Sequence, residues 1–333
     1  MIRALKGAAL REFAISILML GSAVAQGERI RPGAALEYPG FAQFYNCEYD
    51  QALAVFRAKA RAEPSADAFN HIAQTLIFRA MFRANALDTE MVANTQSFLH
   101  MPKVSMDAAD ETEFQDAIRQ AMSLAQTRLD NQPNDTGALY SLGVSHGLMA
   151  NYRLVVQKRY RDSLREATAA RKLHNRATEI DPDFVDARLT QGLNDYIVGS
   201  LPLAWRMLGF LGGFHGDRQR GIQTLELVAE HGAWNQIDAK MMLAAIYRRE
   251  KMPEKSVAVL NELIPRLPRN YALRLELAEM YIDLGEPSHA REIVAEVERM
   301  KAERAPGFES VPEDKIRKVR AKIAPQEHAD ARR

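Results

Sequence analysis

The chain has 333 residues, of which 47% are hydrophobic and 26% charged, with a formal net charge of +1. That balance is ordinary for a globular protein, and near-neutrality supplies no overall attraction for nucleic acid or acidic membranes. A single cysteine, Cys47, excludes an internal disulfide framework and any cysteine-based zinc cluster.

The first 25 residues predict an export signal. Arg3, Lys6 and Arg11 form a basic start, residues 13–20 an apolar core, and Ala23-Val24-Ala25 a small-x-small cleavage pattern. The mature chain would begin at Gln26 and be periplasmic or secreted. The apolar core is well short of the roughly 20 residues a spanning helix needs, and no other stretch approaches that length. No transmembrane span is expected in the mature chain. Residues 26–40, rich in Gly and Pro, predict a flexible leader.

From residue 41 to 300 the pattern is helical and repetitive. Small residues stand 12 positions before a proline four times: Ala52/Pro64, Ala121/Pro133, Ala170/Pro182 and Ser256/Pro268. Nine and ten residues after each proline comes a second pair: Ala73-Gln74, Leu142-Gly143, Gln191-Gly192 and Leu277-Ala278. Leu243-Ala244 is a fifth such pair, with Trp234 in place of the proline. Leu243-Ala244…Tyr247 recurs 34 residues on as Leu277-Ala278…Tyr281. Pro133 and Pro182 stand 49 apart, which predicts longer helices in that unit. Asp181 and Pro182 predict a cap and the first turn of the following helix. No run of alternating β-branched residues occurs between turn signals. Residues 301–333 form a charged tail, in which Ile316, Val319 and Ile323 recur at helical spacing and predict a capping helix over 312–323.

This pattern resembles the tetratricopeptide repeat (TPR), a 34-residue helix–turn–helix unit carrying L-G-x2-Y, A-x3-F and P. The fold class expected is therefore all-α, a TPR-like α-solenoid of elongated, irregular hairpins. "LPLAWRMLGFLGGFHGDRQRG" (201–221) further resembles the eukaryotic TPR family that includes the inclusion-body-clearance proteins. Leu201, Pro202, Leu208, Gly213, Phe214, Gly216, Asp217, Arg218 and Gly221 carry that likeness, which extends over about 140–290. That family is intracellular, whereas the export signal points elsewhere, so its cell biology is not carried over. Trp205, Leu208, Phe210 and Phe214 form either a buried plug or an apolar surface for a partner protein or lipid.

One string suggests chemistry. Gly143-Val144-Ser145-His146-Gly147 matches the G-x-S-x-G elbow of serine hydrolases, which requires a strand before it and an acid and a histidine after it. The repeat frame places Leu142, Gly143 and His146 on a first helix instead, with Gly143 at a close helix crossing. His146 and His174 fall on packing positions. No H-x3-H or H-E-x2-H pair exists for zinc, and no G-x4-G-K-[ST] loop for phosphate. No enzyme activity, metal or cofactor is expected.

The TPR resemblance implies that certain first-helix positions line a concave groove: Tyr140, Val144, Leu189, Leu193, Tyr196, Met241, Ala245 and Arg248. Arg248 and Arg249 are the residues there able to pair with a carboxylate. Residues 153–176 carry a local charge of +6, read either as a site for anionic lipid or acidic protein or as solvated helix faces. The function expected is a non-enzymatic protein-interaction scaffold in the cell envelope, using Tyr140, Val144, Leu189, Leu193, Tyr196, Trp205, Phe210, Met241, Arg248 and Arg249. The alternative is an apolar-ligand or lipid-binding protein using the groove around 189–214. Nucleic acid is not an expected partner.

Overall fold

A computed structural model describes residues 32–87, 103–201, 216–309 and 311–330. The described residues are helical, with no strand among them. A 3-10 turn, Ala34–Glu37, leads to the short helix α1 (Phe41–Tyr45). The row of longer helices begins with α2 (Tyr49–Ala62), α3 (Ala66–Arg83) and α4 (Ala108–Asn131). It continues with α5 (Thr136–Asn151), α6 (Tyr160–Ile180), α7 (Arg188–Ser200) and α8 (Arg218–His231). The last five are α9 (Gln236–Arg249), α10 (Pro253–Arg266), α11 (Tyr271–Asp283), α12 (Pro287–Ala302) and α13 (Glu313–Asp330).

Local chemistry sets the helix starts. Ser65 Oγ accepts from Ala68 N at 3.1 Å, and Asp135 Oδ1 from Ala138 N at 2.9 Å. Asp217 Oδ1 accepts from Arg220 N at 2.8 Å, and Asn270 Oδ1 from Ala272 N at 3.0 Å. Each satisfies a donor that the first helical turn leaves without a partner. Pro253 and Pro287 open α10 and α12, where proline costs no backbone hydrogen bond.

Consecutive helices pack as antiparallel hairpins, most extensively α5 on α6 and α7 on α8. The small residues that mark the repeat lie at the crossings: Ala52, Ala121, Ala170 and Ser256 are all buried. Their lack of bulk lets the backbones approach, while Leu243, Leu260, Leu263 and Leu277 fill the space between hairpins. The long unit has a visible cause. Helix α5 runs on into a π-helical turn, Tyr152–Val156, and α6 has 21 residues, whereas α9 and α10 have 14 each. The extra length is thus shared between both helices, as the proline spacing implies.

Pro182 departs from expectation. It lies in the turn after α6, where Asp181 Oδ1 accepts from Asp183 N at 3.1 Å, and a 3-10 turn (Val185–Ala187) intervenes before α7. Asp186, in that turn, has the larger role: its carboxylate accepts from the backbone N–H of Ala233, Trp234 and Asn235, at 2.7–3.1 Å. One repeat therefore caps the first helix of the next.

At the C-terminal end α13 closes the row. Ile316, Val319 and Ile323 are buried with Phe308 and Val311 against Val294 and Val297. Of the expected leader, residues 26–31 lie outside the described residues and residues 34–37 form a 3-10 turn. From Gly33 onward the chain is packed: Gly33 N donates to Gly232 O at 3.0 Å and Ala35 N to Ala233 O at 3.3 Å. Gly40 takes a φ of +101° with Phe56 against it, leaving no room for a Cβ. The Gly- and Pro-rich composition is the turn chemistry that seats five aromatics (Tyr38, Phe41, Phe44, Tyr45 and Tyr49) inside the molecule. No helix among the described residues is long and apolar enough to cross a membrane.

Candidate functional site: the inner face and its cavity

The first helices of the hairpins, α3, α9 and α11, face a common interior, and segment 33–46 is seated within it. Phe41 packs on Phe56 and His71, with ring centroids 5.2 and 4.8 Å apart. Phe44 meets Phe78 at 5.3 Å, and Tyr38 meets Trp234 at 6.0 Å. Polar contacts fix the segment's far side. The Tyr45 hydroxyl donates to Asp238 Oδ2 at 2.7 Å, and Asn270 Nδ2 donates to Tyr45 O at 2.8 Å. Arg269 N donates to Asn46 Oδ1 at 2.9 Å, while its guanidinium grips Glu48 in a two-pronged pair at 2.6 and 2.9 Å. Early and late repeats also meet directly: the Phe82 ring lies 5.5 Å from Tyr49 and 6.2 Å from Tyr271. The row of hairpins thus closes on itself around its own N-terminal segment.

A cavity of about 130 Å³ remains beside this segment, walled by Phe44, Tyr49, Phe78, Phe82, Met241 and Leu273 among others, with Asp238 and Glu276 as its acids. Burial pushes the Asp238 carboxyl up to about 7, and nearby Asp186 adds to the effect, while the Tyr45 hydroxyl opposes it.

The expected groove residues divide. Tyr140, Val144, Leu189, Tyr196 and Ala245 are buried, so they present no surface to a partner in this arrangement. Tyr140 stacks on His174 at 5.0 Å and its hydroxyl accepts from Asn235 Nδ2 at 2.7 Å; the Tyr196 hydroxyl donates to Glu250 Oε1 at 2.8 Å. Both are committed to joining repeats. Leu193 and Met241 keep partial exposure, and Met241 lines the cavity. Arg248 cannot serve an incoming carboxylate: Glu276 at 3.1 Å, Glu279 at 2.5 Å and Asp283 at 3.3 Å already surround it. Arg249 is half-buried at the end of α9. Trp205 and Phe210, with most of 201–214, lie outside the described residues, as do residues 1–25.

Ser145 has no elbow. It sits mid-helix in α5, fully buried, and its Oγ donates to Asn70 Oδ1 at 2.7 Å. Asn70 Nδ2 returns a bond to Ser141 O at 2.8 Å, and Ser141 Oγ donates to Asp67. The serines of α5 therefore form a polar seam with α3, a role that Asp67 and Asn70 share and that repeat spacing did not single out. His174 occupies the space above Gly143, where an added Cβ would lie 2.3 Å from the ring. Burial drives its imidazole down to about 4, so it is neutral at ordinary pH. His146 Nδ1 lies 2.8 Å from Glu166 Oε2.

In the basic stretch, Arg159 and Arg165 pair with Asp162, Arg153 bonds Gln157, and Arg176 bonds Pro133 O. Much of its charge is engaged locally on helix faces.

Among known proteins, no family model and no curated sequence matches the chain. Solved structures do. A TPR protein of Thermus thermophilus, TTC0263, is 14% identical over 72% of this chain and 94% of its own, with a TM-score of 0.39. Yeast Tom70 is 12% identical over 98% of this chain and 72% of its own, at 0.33. The Cut9–Hcn1 hetero-tetramer of APC/C is 14% identical over 84% of this chain and 54% of its own, at 0.33. The helix pairs, their 34-residue recurrence at Leu243 and Leu277 and the small-residue crossings make this chain an all-α, TPR-like solenoid of elongated hairpins, closed around its own N-terminal segment.

Proposed function

We propose that this protein is a non-enzymatic, exported helical-repeat scaffold that holds a partner protein through a peptide segment on its inner face. The observation that carries this reading is the seating of residues 33–46. There the inner face holds a peptide by aromatic insertion, by backbone hydrogen bonds from Gly33 and Ala35, and by the side chains of Asp238, Arg269 and Asn270. Extended surfaces of stacked hairpins suit such recognition. Leu193, Met241 and Arg249 are expected site residues that keep partial exposure. Export rests on residues 1–25, and N-terminal sequencing of the natural protein should begin at Gln26.

The test is photo-crosslinking in the intact cell envelope, with the reactive residue placed at Met241 or, as control, at exposed Glu292 on α12. Capture of one protein from position 241 but not 292, competed by a synthetic 33–48 peptide, supports the scaffold. Equal capture at both positions overturns the inner-face reading. Lipid co-purifying with the protein, with no protein captured, would favour the lipid alternative.

A further inference from the structure

The cavity beside α1 has a chemistry of its own, independent of whether a protein partner uses the inner face. Its volume, about 130 Å³, is close to that of an engineered apolar cavity of roughly 150 Å³ that admits benzene. Aromatic side chains contribute much of the wall: Phe44, Phe78 and Phe82 with Tyr45 and Tyr49. Of the polar groups on the wall, two are already occupied. Asn270 spends its amide on Tyr45 O and its oxygen on the start of α11, and Glu276 is paired with Arg248. Asp238 is different. It is 2% exposed, its side-chain partner is the neutral Tyr45 hydroxyl, and no basic side chain of the described residues pairs with it. A buried carboxylate without a counter-charge is costly, and a cation entering the cavity would relieve that cost. Aromatic faces around a cation add further attraction.

We infer that this cavity binds a small primary amine bearing a single aromatic ring, with its ammonium on Asp238 and its ring among Phe44, Phe78 and Phe82. The acid disfavours carboxylates of the same shape.

Calorimetry on the full-length protein at pH 8 with benzylamine, benzyl alcohol and benzoate tests this. Benzylamine should bind at least about 10-fold more tightly than benzyl alcohol, its neutral isostere, and benzoate should show no binding. Asp238→Asn should abolish the preference for the amine while keeping benzyl alcohol binding, which also reports that the variant is folded. Met241→Trp, at a half-buried position on the wall, should remove binding of both by filling the space. Absence of binding by all three probes at millimolar concentration overturns the inference. So does equal affinity for amine and alcohol, or an amine preference that survives in Asp238→Asn.

Discussion

Tyr45 and Asp238 meet through a 2.7 Å hydrogen bond across 193 residues of chain, deep inside the closed row of hairpins. The bond is a buried polar tie that joins the N-terminal segment to the first turn of α9. Tyr45→Phe leaves the carboxyl without its side-chain donor. The expected cost is about 1–3 kcal/mol, the penalty for stranding a buried polar group, measured by urea denaturation.

Asp238 also makes stability depend on pH. Its folded-state pKa, about 7, lies above the ordinary value of 3.8, so the folded protein holds this proton more tightly than the unfolded chain. Its contribution is most favourable below pH 3.8, declines as pH rises towards 7, and is constant above. Tyr45 and Asp186 are the ionisable neighbours that set the shift alongside burial. His174 acts with the opposite sign: lowered to about 4, it destabilises the fold as pH falls below 6.5. Urea midpoints of Asp238→Asn between about pH 4.5 and 8 should lose the decline towards high pH and retain the loss on the acid side.

Gly143 and His174 are a matched pair. A Cβ at 143 would meet the imidazole at 2.3 Å, and that ring is held by Tyr140 O at 3.1 Å and Thr190 Oγ1 at 2.8 Å. Gly143→Ala should destabilise by about 1–3 kcal/mol through overpacking. Adding His174→Ala should cost less than the sum of the single changes, as a double-mutant cycle of thermal or urea unfolding will show.

Gly221 and Gly285 predict contrasting outcomes. At Gly221 a Cβ would lie 2.3 Å from Tyr196 N, a backbone atom that cannot rotate away, so Gly221→Ala should force α7 and α8 apart. Gly285 has open space but a φ of +76°, so alanine there costs only about 1 kcal/mol of backbone strain. Comparing the two melting temperatures checks the distinction: a large fall at 221 and a small one at 285.

Arg248 is surrounded by three acids, two of them at most 13% exposed. Arg248→Ala should cost about 1–3 kcal/mol, because Glu276 and Glu279 lose a charged neighbour while Lys322 still bonds Glu279 at 2.8 Å. Added salt should recover little of that loss in chemical denaturation, since the cluster is shielded from the solvent.

How much of this was legible beforehand follows from range. Ala52, Ala121, Ala170 and Ser256 could be read as crossing residues because each recurs at a fixed distance from a proline. Helix pairing within and between neighbouring hairpins is short-range and periodic, so Gly143 and the capping helix around Ile316 to Ile323 were visible as well. The groove positions came from the resemblance alone, which carries no information on how tightly neighbouring hairpins pack here. Contacts within and between neighbouring hairpins bury Tyr140, Val144, Leu189 and Tyr196, and α11 of the next hairpin surrounds Arg248 with acids.

By itself, then, the sequence determined an all-α row of small-residue hairpins, the long unit between Pro133 and Pro182, and the helical setting of Ser145. Only the tertiary structure decided that residues 33–46 lie inside, that Asp186 caps a helix in the next repeat, and that Asp238 faces a cavity. The physical reason is that the polar ties involved, from Asp186 to Ala233 and from Tyr45 to Asn270 among them, join residues 47 to 225 apart, and pairings at such range leave no periodic trace in the chain.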